Sequence, residues 1–527
     1  MKPEIIDVHA RNVEQTGFFC YMSKRKTEGW RKKLLWLCLL VLLGVGAGIY
    51  VNSLGGDFVW DDRALVLVNP MVQTLGQSLE AFQGKLRLFN TAIGYYRPLA
   101  LLSIVLDRTV WGERAFGFHL TNLLLHLGCV LALFFLLERL FGRWTALWTS
   151  GLFAAFAVHT ENVAFISGRM DVLCTLFVLL CLLFFFRPSP PSPGTLFLCF
   201  LLTLCSLLSK ELGVVLVFLL PLGGLFFYPR KTWGGHILRI AAFLVPAFAI
   251  YGVLRIQAIG ALTLPVRPPF PLSQRLLFLP ELLLRYLALQ VFPLNLNAMH
   301  RIYPPPNIPG FLVPLSVLTI AAFTLFLLSR RSRLVGLGSL WFLAALLPVM
   351  NLLPMVVPMM ADRFLYLPSA GFALLLTGIP EALEGKKGKG NPSIKRGLWV
   401  VLLAIGLANG VFTVLRNPVW KDEMTLFTRC VEQSPGSALA RNNLGYAYYR
   451  EGDWQRAEQE YRRAIALSPG FADPHATLGD ILSKTGRYAE AIQEYEAYLR
   501  YNPGALNRDQ ALEKIARLKA LLSGNAP

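Results

Sequence analysis

Residues 34–63 read LLWLCLLVLLGVGAGIYVNSLGGDFVWDDR, an apolar run of membrane length closed by two adjacent acids, Asp61 and Asp62. The apolar part, from Leu34 to about Leu54, can cross a bilayer as one helix. It is too long for the core of a signal peptide and lacks a small-x-small cleavage site, so it reads as an uncleaved signal-anchor. Lys24, Arg25, Lys26, Arg31, Lys32 and Lys33 precede it and place the N-terminus in the cytoplasm. A carboxylate so close to hydrocarbon costs free energy to desolvate, and membrane proteins keep such groups where they have a use.

The rest of the chain has the same character. Of 527 residues, 54% are hydrophobic and 16% charged, below the quarter or so that soluble domains carry, so the chain reads as a polytopic membrane protein. The net charge of +19 is spread as short clusters between apolar runs, which serve as topology signals and argue against a nucleic-acid partner. Seven of the eight cysteines precede the C-terminal tail, most inside apolar runs, and no CxxC or zinc spacing occurs. No disulfide framework is indicated.

Membrane-length or nearly membrane-length segments recur near 34–54, 116–138, 144–158, 171–186, 195–208, 212–228, 237–256, 309–329, 334–350, 364–380 and 397–415. The stretch 272–292 is interrupted by Arg275, Glu281, Arg285 and Gln290 and reads as an interfacial or re-entrant helix. Eleven spans put Arg139/Arg143, Arg187, Arg230/Lys231, Arg330/Arg331/Arg333 and Lys386/Lys387/Lys389/Lys395/Arg396 on one side, as the positive-inside rule requires. The expected architecture is all-α: a basic cytoplasmic tail over 1–33, a membrane domain over 34–415, and a tail over 416–527 on the outer face.

That tail repeats with a period of 34. Residues 437–470 and 471–504 align in register, with Leu444/Leu478, Gly445/Gly479, Ala457/Ala491, Tyr461/Tyr495 and Pro469/Pro503 recurring. Small residues where paired helices touch, aromatics between them and a closing proline make the tetratricopeptide pattern. Trp420, Phe427 and Pro435 mark a partial copy over 417–435, and 505–523 reads as an amphipathic capping helix.

On this topology the polar residues gather at the outer ends of the spans: Asp57, Asp61 and Asp62; Tyr95-Tyr96-Arg97; His159, Glu161, Arg169 and Asp171; Lys210-Glu211; His300-Arg301; and Asp362-Arg363. Such a group suits sugar transfer from a lipid-linked phosphate. A carboxylate takes the acceptor hydroxyl proton, and cations such as Arg97, Arg169, Lys210 and Arg363 hold the departing phosphate. Each signal also has a plainer reading. The acidic pair could cap a helix, Lys210-Glu211 and Asp362-Arg363 could be ion pairs closing turns, and the stripe His119, Asn122, His126 fits inter-helix hydrogen bonds better than a metal.

The blocks Phe58-Val-Trp-Asp-Asp62, Tyr96-Arg-Pro-Leu99, Phe116 to His126, His159 to Asp171, Leu208-Ser-Lys-Glu211 and Ala361 to Pro368 occur in this order. Together they resemble the transmembrane-and-tetratricopeptide-repeat protein O-mannosyltransferases and their bacterial relatives. The resemblance implies a GT-C glycosyltransferase fold, a polyprenyl-phosphate sugar donor, inverting transfer, and an active site on the lumenal or periplasmic side. It maps Asp61 or Asp62 onto the acidic pair that includes the base, with Asp61 favoured. His159, Glu161, Arg169, Asp171, Lys210, Glu211 and Arg363 fall in the other blocks, and Arg97 in the second.

Two and a half repeats stand where the eukaryotic members have a longer array, so the acceptor could be a protein, a glycan or a lipid, and the hexose mannose or another. No Asn-x-Ser/Thr sequon survives the proline exclusion, which favours a bacterial inner membrane over the endoplasmic reticulum. The repeats would hold the acceptor or a protein partner. Acids beside a phosphate could bind a divalent ion, but no ligand spacing marks one, so no cofactor is assigned. The competing reading is a non-catalytic membrane anchor that presents the repeats for envelope assembly.

Overall fold

Inside hydrocarbon each backbone N–H and C=O must find its partner within its own segment, which leaves the helix as the conformation for apolar runs of this length. The structure is a computed structural model and describes residues 33–80, 95–187, 190–261, 270–300, 308–352, 359–384, 392–505 and 507–523. The basic tail over 1–32, Arg301, and Lys386, Lys387 and Lys389 lie outside the described residues. Among the described residues the chain is all-helical, with no strand.

Among the described residues seven helices are long and apolar enough to cross a membrane: Lys33–Ser53, Ala115–Phe141, Ile166–Phe185, Arg230–Ile259, Ile308–Ser329, Asp362–Leu383 and Ser393–Trp420. Pro193–Ser209, Glu211–Phe227 and Arg333–Val349 are shorter apolar helices. The expected span near 144–158 is helical over Arg143–Ala155, thirteen residues, and then tightens into a 3-10 turn at Ala157–His159. Leu272–Val291 is a 20-residue helix whose Arg275 is turned inward, donating to Asn351 O at 2.7 Å. Ile308–Ser329 shows the opposite preference. Its Ile320, Phe323 and Phe326 are exposed, as a lipid-facing surface requires.

The chain divides into two units, one ending at Gly48 and one running from Ile49 to Pro527. Within the second, the closest helix pair joins Arg333–Leu346 to Tyr366–Glu384. Glycines permit that approach: a Cβ on Gly338 would lie 2.4 Å from Leu375 N, and one on Gly371 would lie 2.6 Å from Phe342 N. Small residues at such contacts let helix backbones pack where lipid supplies no hydrophobic drive.

The C-terminal region consists of the helices Glu423–Gln433, Ala438–Arg450, Trp454–Leu467, Ala472–Lys484, Tyr488–Tyr501 and Arg508–Leu522. The first three start at side-chain caps: Asp422 accepts from Thr425 N, Ser437 from Ala440 N and Asp453 from Arg456 N. The 34-residue register has a packing cause. A Cβ on Gly445 would stand 3.1 Å from the Tyr461 ring and one on Gly479 would stand 2.9 Å from the Tyr495 ring, so both helix pairs close over an aromatic. The partial copy begins with a 3-10 turn, Asn417–Trp420, before its helix. There Trp420 is buried in a cluster with Val59, Phe165, Met299 and Phe427, which seats the repeats on the loop after the first span.

Candidate active site

The loop after the first span is built around a backbone irregularity. The Asp62 amide donates to Val59 O at 2.9 Å, closing a tight turn, and Trp60 inside that turn has a φ of 52°. Glycine normally occupies such a place, and a bulky residue held there stores about 1–3 kcal/mol of strain. Trp60 stays because its ring is gripped: it stacks on Phe165 with centroids 5.6 Å apart and meets Phe427 edge-on at 6.3 Å. The turn sends the two neighbouring acids into different surroundings.

Asp62 is fully buried. Its Oδ1 accepts from Ser167 N at 2.7 Å and Ser167 Oγ at 2.6 Å, and its Oδ2 from Ile166 N at 3.3 Å and Val59 N at 3.4 Å. Burial pushes its carboxyl up to about 7, with the Ser167 hydrogen bonds opposing. Three of these contacts hold the loop to the turn at 166–167, and the fourth closes the loop on its own Val59. Asp61 differs on both counts: its side chain is exposed, yet burial of its surroundings raises its pKa, and Arg363 works against that rise. A carboxylate that water reaches while dense protein surrounds it lies in a recess.

The residues around that recess come from five other segments (95–97, 161–171, 210–211, Arg255 and 362–364), and the sequence neighbours among them pair apart. Lys210 Nζ donates to Asp171 at 2.6 Å, whereas the next residue, Glu211, accepts from Arg97 at 2.8 and 3.0 Å and from Arg255 at 3.2 Å. Arg363 grips Glu161 through its backbone N–H at 2.9 Å and its guanidinium, whereas Asp362 turns to His300 at 2.7 Å and Arg416 at 3.6 Å. Tyr95 lies under the Arg97 guanidinium at 4.2 Å, and the Phe364 ring under Lys210 Nζ at 5.6 Å. Burial lowers the Lys210 pKa, with Asp171 pulling the other way. Arg97, Lys210, Arg255 and Arg363 outnumber their paired acids Asp171, Glu161 and Glu211 by one, so the recess is positive before Asp61 is counted.

Two of the expected site residues stand elsewhere. Arg169 is wholly buried, its donors taken by Asn122 Oδ1 (2.8 Å), Ser103 O (3.1 Å), Phe118 O (2.9 Å) and Asp107 (2.6 Å). His159 is buried with its Nε2 2.6 Å from Ser369 Oγ, between the rings of Phe153 and Tyr366, each at 4.6 Å. Burial there lowers its pKa well below the usual histidine value. Asn122 binds the Val163, Phe165 and Ile166 carbonyls, and His126 Nδ1 lies 2.7 Å from Tyr366 Oη, so these two residues of the helical stripe make inter-segment hydrogen bonds. With Arg169 it shapes the turn that receives Asp62. Among the described residues no three His, Cys, Asp or Glu side chains converge as a metal site.

Sequence reasoning passed over Arg255, Asp107 and Trp60. Arg255 has a signal in hindsight, an arginine near the C-terminal end of an apolar helix, Trp233–Ile259. Asp107 had a weaker one, an acid on the amphipathic helix Pro98–Trp111. The backbone of Trp60 had none.

The fold and site define a multi-pass membrane protein that carries tetratricopeptide repeats beside a cluster of paired acids and cations. Family models described as tetratricopeptide repeat match residues 425–470 and 449–518. A protein O-mannosyl-transferase of Caenorhabditis elegans is 27% identical over 457 residues, covering 83% of this chain and 63% of that protein. The human protein O-mannosyl-transferase TMTC3 is 27% identical over 476 residues, covering 80% and 50%. Human TMTC1 is 35% identical over a shorter stretch of 192 residues, 33% of this chain and 22% of that one. The chain thus resembles the transferases that its motifs imply, and spans 63% and 50% of the length of the Caenorhabditis elegans protein and human TMTC3. Among solved structures, ArnT from Cupriavidus metallidurans bound to undecaprenyl phosphate superposes with a TM-score of 0.45 at 14% identity, over 88% of this chain and 80% of that one.

Proposed function

We propose that this chain is an integral-membrane glycosyltransferase. It moves a hexose, mannose by analogy with its relatives' names, from a polyprenyl-phosphate donor to a hydroxyl acceptor on the outer face of the membrane. Asp61 takes the acceptor O–H proton as the oxygen attacks the anomeric carbon. The bond from that carbon to the phosphate oxygen breaks as the new one forms, which inverts the configuration. The electron pair leaves on the phosphate, whose added charge is met by Arg97, Lys210, Arg255 and Arg363. Glu161, Asp171 and Glu211 hold those cations in place. Asp62 positions the loop, and Arg169 and His159 belong to its support.

The observation that carries this reading is the contrast between the two neighbouring acids: Asp62 is saturated with donors inside the protein, whereas Asp61 is accessible and within electrostatic reach of Arg363. A general base needs a lone pair free for the incoming proton, and Asp61 meets that need. The relatives named O-mannosyl-transferases support the reaction class.

The test is transfer from radiolabelled polyprenyl-phosphate hexoses by the detergent-purified protein, with a membrane extract as acceptor source. Transfer by the wild type that Asp61→Asn abolishes while its thermal midpoint holds supports the assignment. An Asp61→Asn protein as active as wild type removes Asp61 from the mechanism. No transfer from any donor, together with rescue of a deletion strain by Asp61→Asn, would leave the chain as a membrane-anchored repeat scaffold.

A further inference from the structure

We infer that Trp60 is a positioning residue through which the partial repeat aims Asp61 into the recess, so that the first repeat helix is part of the catalytic assembly rather than an appended binding module. This rests on the reading of Asp61 as the base. The turn at Val59–Asp62 holds Trp60 at a positive φ. A tryptophan has no intrinsic preference for a φ of 52°, so something outside the turn must hold it there. Two aromatic faces do so. Phe165 stacks on the indole with an interplanar angle of 19°, and Phe427 of the helix Glu423–Gln433 closes on it at 83°. Phe165 is itself backed by Trp420, stacked at 5.1 Å.

The backbone reinforces the grip at its other end, where Asp57 N–H donates to Lys421 O at 2.8 Å. The loop from Asp57 to Asp62 therefore has three anchors. Asp62 ties it to Ser167, while Trp60 and Asp57 tie it to residues 420–427. Asp61 lies between these anchors, and its direction depends on all of them. If the aromatic grip is lost, the turn relaxes toward negative φ at residue 60 and the next side chain swings away from Arg363. Phe427 and Trp420 lie on the repeat side of this contact and take no part in holding the donor. Their loss should lower turnover while leaving donor affinity alone.

The experiment compares wild type with Trp60→Ala, Trp60→Phe and Phe427→Ala in the full-length protein, reading kcat, donor KM and hydrogen exchange at the amides of residues 59–62. The expected result is that Trp60→Ala and Phe427→Ala each lower kcat at least tenfold with donor KM within twofold. Both should speed exchange of the Asp62 amide. Trp60→Phe, which keeps a stacking ring, should recover most of the kcat. The double variant Trp60→Ala/Phe427→Ala should be no slower than the worse single one, since both remove one contact. Full protection of the Asp62 amide in Phe427→Ala overturns the inference, as does unchanged kcat in Trp60→Ala. If the wild type transfers nothing while Phe427→Ala still frees the loop, the transferase reading falls and the coupling stands. A protected loop in an active enzyme gives the reverse outcome.

Discussion

Asp61 and Asp62 are identical in side chain and adjacent in sequence, yet a substitution at each should fail in a different way. Asn at position 61 removes the proton acceptor and should lower kcat by about 10²- to 10⁴-fold. It should leave the thermal midpoint unchanged or higher, because the carboxylate it replaces is held in surroundings that disfavour its charge. Asn at position 62 must present an amide N–H₂ toward donors that all point inward, from Ser167, Ile166 and Val59. That clash should cost about 1–3 kcal/mol of stability, read as a lower midpoint in thermal unfolding. The two profiles, active-site loss without destabilisation and the converse, separate base from anchor. A pH series checks the base further. The Asp61 pKa is raised, and only the ionised form accepts a proton, so activity should fall on acidification at a pH above the ordinary aspartate value of about 3.9. An acid limb at or below that value would mean that the group is not in a desolvating recess.

At the scale of elements, the approach of Arg333–Leu346 to Tyr366–Glu384 determines where Arg363 sits, because Arg363 lies in the 3-10 turn Asp362–Leu365 that leads directly into that second helix. Gly371→Ala would place a methyl 2.6 Å from Phe342 N, and backbone cannot yield as a flexible side chain does. We expect a loss of about 1–3 kcal/mol and a fall in kcat as the Arg363–Glu161 pair shifts. A thermal midpoint within a degree of wild type would show that the helices can part without cost. Elements were also the most legible level of the sequence. Apolar runs and a 34-residue period announce helices through composition and spacing alone, and each expected run has a helix in it. The shortness of Arg143–Ala155 was harder to read, since an apolar run continues through Phe156 and Val158 while the backbone tightens beneath it. Partner choice was not legible at all. Lys210 and Glu211, or Asp362 and Arg363, look like local ion pairs, and each residue takes a partner from a distant segment instead. Local sequence carries no record of such contacts. A positive φ at a tryptophan is likewise set by tertiary packing, not by the residue's own preference.

For the whole molecule, contact constrains topology more tightly than counting spans does. The loop holding Asp61 donates from Asp57 to Lys421, Asn297 Nδ2 donates to Ser434 Oγ at 2.9 Å, and Trp60 meets Phe427. These contacts join the first loop, the segment after Leu272–Val291 and the repeats directly, with no hydrocarbon between them. The site and the repeats must therefore share one face of the membrane, whatever the number of crossings. The positive-inside rule predicts that this face is the outer one, since Arg230, Lys231, Arg330 and Arg331 lie at the other ends of their helices. Cysteine labelling tests both steps at once, against a background in which the described cysteines are buried or only partly exposed. Arg508 and Arg331 are both exposed. In intact cells, a membrane-impermeant maleimide should label Arg508→Cys, and should reach Arg331→Cys only after permeabilisation. Labelling of both from outside would break the inner assignment of the basic clusters. Labelling of Arg331→Cys alone would invert the molecule and put Asp61 in the cytoplasm, where the donor lipid would have to present its sugar on the inner leaflet.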